Sequence, residues 1–594
     1  MKSARRIVLI VTLLFCVRPA AATIRYHISL KNPEQHLFHV SMEIPAKDAE
    51  PDITVALPAW NALYQVRDFA YRVRDVRARS AAPAATPLAL EMLDKQTWKI
   101  SLVGSSAQAA TVEYAIEWDD SGPFNSQLDT HHAFVNFAEV LMYVPDRRAE
   151  DTTIQFDDVP SGWGVAAELP AGGAADSFGA GSYDQLVDAP AELGTFAEFG
   201  FDGSGAHFRV VVDGKDWQRD KLESYLREIT RYEVHLMGGA PFSEYTFFFH
   251  IGPYADVGGG GMEHSNCTAI AAPSVDSAGA IAAHEFFHAW NVKRIRPQSL
   301  EPVDYTKEMY TRALWFAEGV TSTYAAYTLE RTGLWTKDQF YGDLAAQISE
   351  LDSRPAHAWQ TVEDSSLDAW LEKYDEYRRP ERSISYYNKG QIVGEMLDLA
   401  IRDATDDRKS LDDVLRQMNE EYAMQGRFYD DSHGVEAAAE EVAGVKYDDF
   451  FRRYVAGTDD IPYDKFLSAA GLQLKVEMRA AGDLGFWTAG HAPGAPLQVS
   501  QVEPGSPAET AGLRAGDALL ALNGQPVPRY LPAWLHEHAP GEKVTLRVQR
   551  DGKEYDLTFA LGSIDLHKFS LVEMSPISEK QKRIREGWLK GKTD

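Results

Sequence analysis

Short segments of alternating apolar and polar residues fill the chain from residue 23 to about residue 200. Residues 24–30 and 111–118 are typical, and such segments are separated by Pro, Gly, Asp and Asn, which favour turns. Further segments of this kind cover residues 39–44, 53–57, 98–103 and 134–144. Because helical spacing is scarce here, the pattern predicts an antiparallel, sandwich-like β domain over residues 23–200.

The periodicity changes after a β-prone run at residues 245–251. Apolar residues then recur every three or four positions as far as about residue 470, which is typical of helices. The predicted helices cover residues 277–295, 308–331, 339–351, 388–403 and 411–422. Short apolar runs and glycines return near residue 475, which predicts a smaller β domain. We expect three domains and a basic tail, at residues 23–200, 201–470, 475–563 and 564–594.

The first residues have the composition of a secretory signal peptide. Lys2, Arg5 and Arg6 precede an apolar run over residues 7–17, and alanines at residues 20–22 supply small residues for cleavage. The run is shorter than the about 20 residues that a membrane span needs. We expect residues 1–22 to be removed and the protein to be secreted or periplasmic; the alternative is an uncleaved anchor.

Charge and cysteine content narrow the possible partners. The 594 residues include 59 Lys and Arg against 88 Asp and Glu, a formal net charge of −29. This excess of negative charge repels phosphate backbones and anionic membrane surfaces, so it disfavours nucleic acid and membranes as partners. Without residues 1–22 the only cysteine is Cys267, which excludes an intramolecular disulfide and favours a buried thiol over a nucleophile.

The most informative motif is His284-Glu285-Phe286-Phe287-His288. On a helix, which Ser277 could cap, the two histidines share one face and both imidazoles can reach one ion. Glu285 lies beside that face, where it can act on a water at the metal. Zinc suits imidazole ligands with one open position. The alternative is a helix with two surface histidines.

Glu318 lies 30 residues beyond the second histidine, within the apolar segment Trp315-Phe316-Ala317-Glu318-Gly319. A buried carboxylate without a partner is costly, so it needs a cation nearby. A third zinc ligand is the simplest explanation, and a salt-bridged glutamate is the alternative.

Two further segments carry candidate chemistry. The run Gly258–Gly261 precedes Met262, Glu263 and His264, and its glycines either let the backbone approach a ligand closely or form a plain flexible turn. Downstream, Tyr386 and Tyr387 begin a predicted helix. A phenol beside a zinc site would stabilise the oxyanion of peptide hydrolysis, although most tyrosines simply pack.

The sequence resembles the M61 family, the glycyl aminopeptidase family, whose members join a zinc domain of thermolysin type to a PDZ domain. The resemblance rests on residues 284–297, His-Glu-Phe-Phe-His-Ala-Trp-Asn-Val-Lys-Arg-Ile-Arg-Pro, together with the segment around Glu318. It implies three domains: an antiparallel N-terminal β domain, a mostly helical thermolysin-like α+β peptidase domain and a C-terminal PDZ β domain. It also implies that His284, His288 and Glu318 bind one zinc ion per chain and that Glu285 is the general base.

The resemblance extends to the substrate-binding residues. Gly261-Met262-Glu263-His264 is similar to the Gly-X-Met-Glu-Asn strand of the M1 aminopeptidases, which implies that Glu263 binds the α-ammonium of the substrate; His264 replaces Asn. Tyr387-Asn388-Lys389-Gly390 is similar to their Tyr-Glu-Lys-Gly segment. That similarity implies that Tyr387 is the oxyanion donor, with Tyr386 as the alternative.

The C-terminal β segment has PDZ features of its own. Asp483-Leu484-Gly485-Phe486 matches the loop whose amides, here those of Leu484, Gly485 and Phe486, capture a peptide C-terminus. The alternative is a small β domain with ordinary turns. The basic tail would contact a membrane, dock on an acidic surface of the same chain or form a solvated helix.

Together these features predict an exported zinc aminopeptidase that acts on peptides with a free N-terminus. A preference for N-terminal Gly or Ala follows from the family resemblance alone. The first alternative is an endopeptidase with the same zinc site. The second is a PDZ-based binding or quality-control protein, against which the intact set of zinc residues argues.

Overall fold

A computed structural model describes most of the chain. The described residues are 23–47, 51–61, 64–80, 85–103, 109–252, 259–371, 380–489, 496–528, 531–535 and 538–591. The predicted signal peptide at residues 1–22 and Gly258 of the glycine run lie outside these ranges. Among the described residues, no helix is both long and apolar enough to cross a membrane.

The N-terminal region folds into antiparallel sheets, in agreement with its alternating pattern. The strands are β1 (Ile24–Ser29), β2 (Leu37–Pro45), β3 (Asp52–Ala56), β4 (Val73–Ser80), β5 (Ala89–Met92), β6 (Thr97–Ser101), β7 (Ala109–Glu117), β8 (Gln127–Leu128), β9 (His132–Val135), β10 (Thr152–Asp157), β11 (Gly164–Ala167), β12 (Ser177–Ala180) and β13 (Ala191–Gly194). They form sheets in the orders β12-β10-β1-β2-β7-β4, β11-β13-β9-β8 and β3-β6-β5. Only β1 and β10 pair in parallel within these sheets.

The strand predicted over residues 134–144 is wrong beyond residue 135. A short helix, α1 (Phe137–Val140), follows β9, and all four of its residues are buried. A continuous apolar run does not distinguish a strand from a buried helical turn, which is why the pattern failed here. A second short helix, α2 (Tyr183–Val187), is capped by the side chain of Ser182.

A five-stranded sheet forms the base of the central region. Its strands are β14 (Ala197–Gly203), β15 (Ala206–Gly214), β16 (Glu244–Ile251), β17 (Gly260–Glu263) and β18 (Cys267–Ala272), in the order β14-β15-β16-β18-β17. The short strand β17 therefore lies at one edge and pairs antiparallel with β18. Cys267, at the start of β18, is fully buried, and burial raises the pKa of its thiol well above the ordinary value.

Helices cover this sheet and form most of the central region. They are α3 (Arg219–Leu236), α4 (Val275–Phe287), α5 (Thr321–Arg331), α6 (Lys337–Asp352), α7 (Val362–Asp368), α8 (Tyr386–Thr405), α9 (Leu411–Glu421), α10 (Asp431–Ala443), α11 (Asp448–Phe450) and α12 (Tyr463–Leu467). Their apolar faces share one large core with the sheet.

The boundaries of α4 differ from the prediction. Ser274, not Ser277, is its cap, since the hydroxyl of Ser274 accepts a hydrogen bond from the Ser277 amide. The helix ends at Phe287, and the residues that follow it form hydrogen-bonded turns. Trp290 and Ile295 in these turns are still buried. The apolar spacing therefore continues past the end of the helix.

The helix predicted over residues 308–331 begins only at residue 315. Thr311 and Arg312 instead bind the carboxylate of Asp431, through the Thr311 hydroxyl at 3.1 Å and the Arg312 amide at 3.0 Å. A π-helical turn over Trp315–Val320 then leads into α5. Such turns widen a helix locally and often occur at functional sites.

The C-terminal β region is attached through a long antiparallel ribbon of β19 (Leu472–Asp483) and β25 (Gly562–Glu573). Between them lies a five-stranded sheet of β20 (Phe486–Ala489), β21 (Gln498–Val502), β22 (Ala518–Leu522), β23 (Lys543–Arg550) and β24 (Lys553–Ala560), with the helices α13 (Pro507–Thr510) and α14 (Leu531–Leu535). This region has its own hydrophobic core.

The basic tail docks on the central region. After β25 the chain forms α15 (Glu579–Lys590), whose Trp588 side chain is fully buried and donates from its indole nitrogen to the Tyr327 hydroxyl at 2.8 Å. Lys580 and Arg583 pair with Asp403 and Asp406. The docking interpretation is therefore correct, and the solvated helix is not observed.

Candidate metal and substrate site

Helix α4 presents its two histidines at its C-terminal end. His284 lies in the last turn and His288 directly follows the helix. The Nδ1 atom of His288 lies 2.7 Å from the backbone oxygen of Asn291, and the Asn291 side chain donates to the Phe316 oxygen at 2.8 Å. Buried Asn291 thus fixes the His288 ring and ties the end of α4 to the π-helical turn.

The π-helical turn places Glu318 against both histidines. Its Oε2 atom lies 3.4 Å from Nε2 of His284 and 3.3 Å from Nε2 of His288. A close crossing of helices holds this turn in position. A Cβ atom at Gly319 would lie 2.5 Å from the Cα atom of Gly390 in α8, so any side chain there would push the two elements apart.

The hydrogen bonds determine where the histidine protons lie. Nδ1 of His288 faces a backbone oxygen and must donate to it. The Ser322 hydroxyl donates to the Glu318 backbone oxygen at 3.1 Å, so it accepts from Nδ1 of His284 at 3.3 Å. In their neutral forms both histidines therefore turn Nε2 lone pairs, 3.1 Å apart, towards the Glu318 carboxylate.

Three converging acceptors require a positive charge among them. Burial opposes a charge on His288, yet the adjacent Glu318 carboxylate outweighs burial and raises the pKa of His288 to about 10. The histidines in turn hold the pKa of Glu318 well below its usual range despite burial. Two imidazoles and one carboxylate, converging with their other ring nitrogens already bonded, form the donor set of a catalytic zinc site. We call His284, His288 and Glu318 the converging cluster.

Glu285 faces the same space from the next position on α4. Its side chain is buried, and within the described part of the chain its Oε2 atom has no hydrogen-bond partner. Burial raises the pKa of Glu285 well above its ordinary value. A Cβ atom at Gly261 would overlap this carboxylate, so glycine at that position leaves room for Glu285.

The edge strand β17 brings Glu263 to the site. Gly261 and Glu263 both line the cavity beside the converging cluster, and burial raises the pKa of Glu263. Successive residues of a strand face opposite sides, so Met262 and His264 face away from this cavity. His264 is buried, with Nδ1 3.4 Å from a carboxylate oxygen of Asp188.

The two adjacent tyrosines occupy different surroundings. Tyr387 lines the cavity, with its ring centroid 6.1 Å from that of His284. Tyr386 is 1% exposed, stacks on Tyr387 and belongs to the hydrophobic core. Tyr387 is therefore the tyrosine of this pair that faces the cavity.

The cavity also includes two residues that the sequence did not indicate. Tyr64 and Phe124 come from the N-terminal β region and face the converging cluster across a volume of about 210 Å³. Both lie far from α4 in sequence, and neither belongs to a recognisable motif. Only the packing of the β region against the helices brings them here.

Three protein-family models match separate parts of this chain. The model of the peptidase M61 N-terminal domain matches residues 25–195, and that of the M61 glycyl aminopeptidase matches residues 278–393, which include the converging cluster and Tyr387. The chain belongs to the M61 glycyl aminopeptidase family. A PDZ domain model matches residues 498–550, so this M61 chain also carries a PDZ domain.

A solved structure with a similar fold covers nearly the whole of this M61 chain. An aminopeptidase N family protein from Idiomarina loihiensis is 24% identical, with a TM-score of 0.81 over 96% of this chain and 100% of that one. An M1 zinc metallopeptidase from Deinococcus radiodurans is 14% identical, with a TM-score of 0.46 over 74% of this chain and 95% of that one. The first similarity extends the shared fold over nearly the whole chain.

Curated relatives match only a short part of the M61 chain. A probable periplasmic serine endoprotease, DegP-like, from Marinomonas sp. (strain MWYL1) is 43% identical over 65 residues, which is 11% of this chain and 14% of the relative. The chain thus spans about one seventh of that relative's length.

The predicted peptide-binding loop of the PDZ domain leads into an edge strand. Leu484 and Phe486 bury their side chains in the PDZ core, and the Gly485 amide donates to a carboxylate oxygen of Asp483 at 3.0 Å. The following strand, β20, is at the edge of its sheet. An edge strand offers backbone groups to an added peptide strand.

A second buried group of two histidines and a glutamate lies where the N-terminal β region meets the central sheet. Nδ1 of His132 on β9 lies 3.1 Å from Oε1 of Glu192 on β13, and Nε2 of His250 on β16 lies 2.9 Å from Oε2 of the same residue. Asp213 lies 3.7 Å from His132. We call His132, Glu192 and His250 the interdomain cluster.

Proposed function

We propose that this chain is a zinc-dependent aminopeptidase that removes the first residue from peptides. The observation that carries this proposal is the convergence of three lone-pair donors in one cavity with two further carboxylates, Glu285 and Glu263. The three donors are suited to binding a metal ion, Glu285 is suited to the role of a general base, and Glu263 is suited to anchoring an amine. The proposal includes one zinc ion held by His284, His288 and Glu318.

Zinc at this site would supply a Lewis acid for the scissile carbonyl and would lower the pKa of a water molecule to about 7. The donor set favours zinc over magnesium or calcium, which prefer oxygen ligands. The description of the peptidase domain as thermolysin-like belongs to the same proposal, and the position of both histidines at the end of one helix supports it.

Glu285 is the proposed general base. Its raised pKa and its unpartnered buried oxygen suit a group that takes a proton from the attacking water and then donates it to the leaving amine. Because a carboxylate with an ordinary pKa would hold a proton too weakly, burial strengthens Glu285 as the base in the first of these steps.

Tyr387 is the proposed donor to the oxyanion that forms when water adds to the carbonyl. A hydroxyl that is aimed at the developing charge accelerates such a reaction by roughly 10²–10³-fold. Its position in the cavity, against the burial of Tyr386, favours Tyr387 for this role.

Glu263 is the proposed anchor of the free α-ammonium group. It lines the same cavity as Glu285, so an amine bound there would place the first peptide carbonyl near the base. Burial raises the pKa of Glu263, and an incoming ammonium would offset that effect by favouring the charged carboxylate. Met262 and His264 would support the strand that carries Glu263.

Three finer parts of the proposal concern the setting of the enzyme. They are export after removal of residues 1–22, a preference for Gly or Ala as the first residue, and capture of a peptide C-terminus by the loop of Leu484, Gly485 and Phe486. The relatives that are described as periplasmic support the first part, and the edge position of β20 supports the third.

A substitution at Glu263 distinguishes the exopeptidase proposal from the endopeptidase alternative. The wild-type enzyme should cleave free-amine peptides much faster than their N-acetylated forms. In Glu263→Ala the ratio of these two rates should fall at least about tenfold, because only the free-amine substrates are cleaved more slowly. The measurement is kcat/KM on both forms of one peptide. Glu244→Ala, at an exposed position on β16, is the control and should retain the wild-type preference.

Equal cleavage of acetylated peptides by wild type would contradict the aminopeptidase proposal and identify an endopeptidase. A Glu263→Ala variant that kept the full preference for free amines would exclude Glu263 as the anchor.

A further inference from the structure

We propose that Phe124 of the N-terminal β region, with Tyr64 behind it, sets the size limit for the first side chain of the substrate. This inference rests on the proposed function, because it assigns the wall of the same cavity. It makes the N-terminal β region a specificity element of the enzyme.

The chemistry of the cavity wall indicates where a side chain must go. Among the described residues that line the cavity, the catalytic face is polar: it consists of the converging cluster, Glu285, Glu263 and Tyr387. Gly260 and Gly261 contribute backbone alone. Tyr64 and Phe124 are the remaining lining residues, so an apolar substrate side chain finds its apolar contacts on them.

Phe124 lies close to the strand that carries Glu263. A Cβ atom at Gly260 would lie 3.3 Å from Cζ of Phe124 and 3.4 Å from its Cε2 atom. The phenyl ring and the edge strand β17 are thus in near contact on the wall of the cavity. A substrate whose amine lies at Glu263 therefore points its first side chain at this ring.

The backbone of Phe124 is held firmly. Its carbonyl oxygen accepts from Nη1 of Arg67 at 2.7 Å and from the side chain of Asn61 at 3.4 Å. The same Arg67 nitrogen donates at 2.9 Å to Glu139, whose side chain is fully buried. Because Arg67 and Asn61 belong to the same β region, the loop that carries Phe124 cannot retreat without breaking this network.

Tyr64 is held from behind by aromatic contacts. Its ring lies 6.2 Å from that of Trp370 in an edge-on arrangement, and Trp370 also contacts Trp60 in the same way at 5.1 Å. Such packed aromatic groups move little, since each displacement opens a gap in the core. The wall is therefore rigid on both sides.

The volume of the cavity agrees with a small side chain. At about 210 Å³ it is smaller than the roughly 300–1,000 Å³ typical of sites for drug-sized ligands. It must also hold the amine, the scissile carbonyl and the attacking water. Removing the phenyl ring of Phe124 should add space directly beside the first side chain of the substrate.

The test compares four free-amine p-nitroanilides, those of Gly, Ala, Leu and Phe, on the zinc-loaded enzyme. Wild type should favour Gly and Ala over Leu and Phe by at least about tenfold in kcat/KM, the usual scale for side chains that a pocket excludes. In Phe124→Ala the ratio of kcat/KM for the Gly and Ala substrates to that for the Leu and Phe substrates should fall at least about tenfold. The change should come chiefly from faster cleavage of the Leu and Phe substrates.

Phe178→Ala is the matched control, because Phe178 is a half-buried phenylalanine of the same β region that packs in its core and does not line the cavity. Its substrate preference should equal that of wild type. Phe124→Leu keeps an apolar side chain and serves if the alanine variant fails to fold; it should shift the preference in the same direction by a smaller factor.

A folded Phe124→Ala or Phe124→Leu variant with the wild-type ratio of rates would overturn the inference, as would a wild type that already favours Leu. Failure of the proposed function looks different and is read in wild type alone: none of the four free-amine substrates would be cleaved.

Discussion

The converging cluster and the interdomain cluster contain the same side chain types, two histidines and one buried glutamate. In the converging cluster both Nδ1 atoms are engaged elsewhere, so both Nε2 atoms meet the same oxygen of Glu318. In the interdomain cluster each histidine nitrogen faces a different oxygen of Glu192 at hydrogen-bond distance. The placement of the ring nitrogens, and not the residue types, therefore distinguishes the two clusters.

The surroundings reinforce this difference. In the interdomain cluster Nε2 of His132 faces the side-chain oxygen of Gln127, while the amide of Gln127 donates to Asp119. Both nitrogens of His132 therefore face acceptors, and an imidazolium satisfies both. Burial opposes this charge, but Glu192, Asp213 and Asp129 together raise the pKa of His132 to about 9. A proton supplies the charge here that a metal would supply in the converging cluster.

The sharpest test of the comparison removes one histidine from each cluster. His288→Ala should lose bound zinc, and turnover should fall at least about 10³-fold, because a metal contributes more than a single oxyanion donor. His250→Ala should keep one zinc per chain. Metal content by mass spectrometry and kcat/KM measure both effects. Zinc lost from His250→Ala, or two zinc ions in wild type, would break the comparison.

The next largest effect should follow from Glu285→Gln. The amide keeps the shape of the side chain and cannot accept the proton, so turnover should fall by roughly 10²–10⁴-fold. Zinc content should stay at the wild-type value, since Glu285 is not a ligand in the proposal. A variant that loses its zinc would make Glu285 a member of the converging cluster.

Tyr387→Phe removes only a hydroxyl and should lower kcat by about 10²–10³-fold without changing zinc content or folding. Tyr386→Phe is the matched control, because the two rings are adjacent and stacked. It should leave kcat near the wild-type value. If only Tyr386→Phe is slow, the oxyanion donor is Tyr386.

The interdomain cluster should act on stability and not on turnover. The pKa of folded His132 exceeds the ordinary value of 6.5, so its contribution is fully present below pH 6.5 and is lost as pH rises through about 9. The pKa of Glu192 is lowered, because its two histidines outweigh burial, so its contribution is present above pH 4.5 and is lost in acid. The rise in the pKa of His132 corresponds to about 3 kcal/mol of stability at most.

Thermal unfolding of wild type and Glu192→Gln between pH 5 and pH 10 measures this effect. The difference in Tm should be largest near pH 5–6.5 and should shrink above pH 9. Glu198→Gln, which removes a more exposed ion pair with Arg209, should show a small and nearly constant difference. If a chelator lowers the Tm of His288→Ala, the interdomain cluster holds a metal after all.

The sequence was most informative where spacing alone defines geometry. His284 and His288 share a helical face at any position in a fold, whereas Glu263 was assigned only through the family resemblance. Glu318 could be assigned because its apolar surroundings predict burial. These inferences depend on local structure, which the chain carries in its periodicity.

The sequence was least informative where a residue's contacts come from a distant part of the chain. Phe124 and Tyr64 enter the cavity only through interdomain packing, and no pattern near them marks it. The first residues of the helix predicted from residue 308 are held by Asp431, which lies far downstream. Nothing in the spacing of apolar residues anticipates a carboxylate that replaces helical hydrogen bonds.

The docking of α15 has a consequence for the PDZ domain. Because β25 returns along β19 and Trp588 inserts beside Tyr327, the PDZ domain is a loop-like insertion between two anchored strands, and not a pendant at the end of the chain. Truncation after residue 563 would therefore remove a core side chain of the central region along with the tail. A clean deletion of the PDZ domain would instead join the two strands of the ribbon directly, with a short turn in place of residues 484–561.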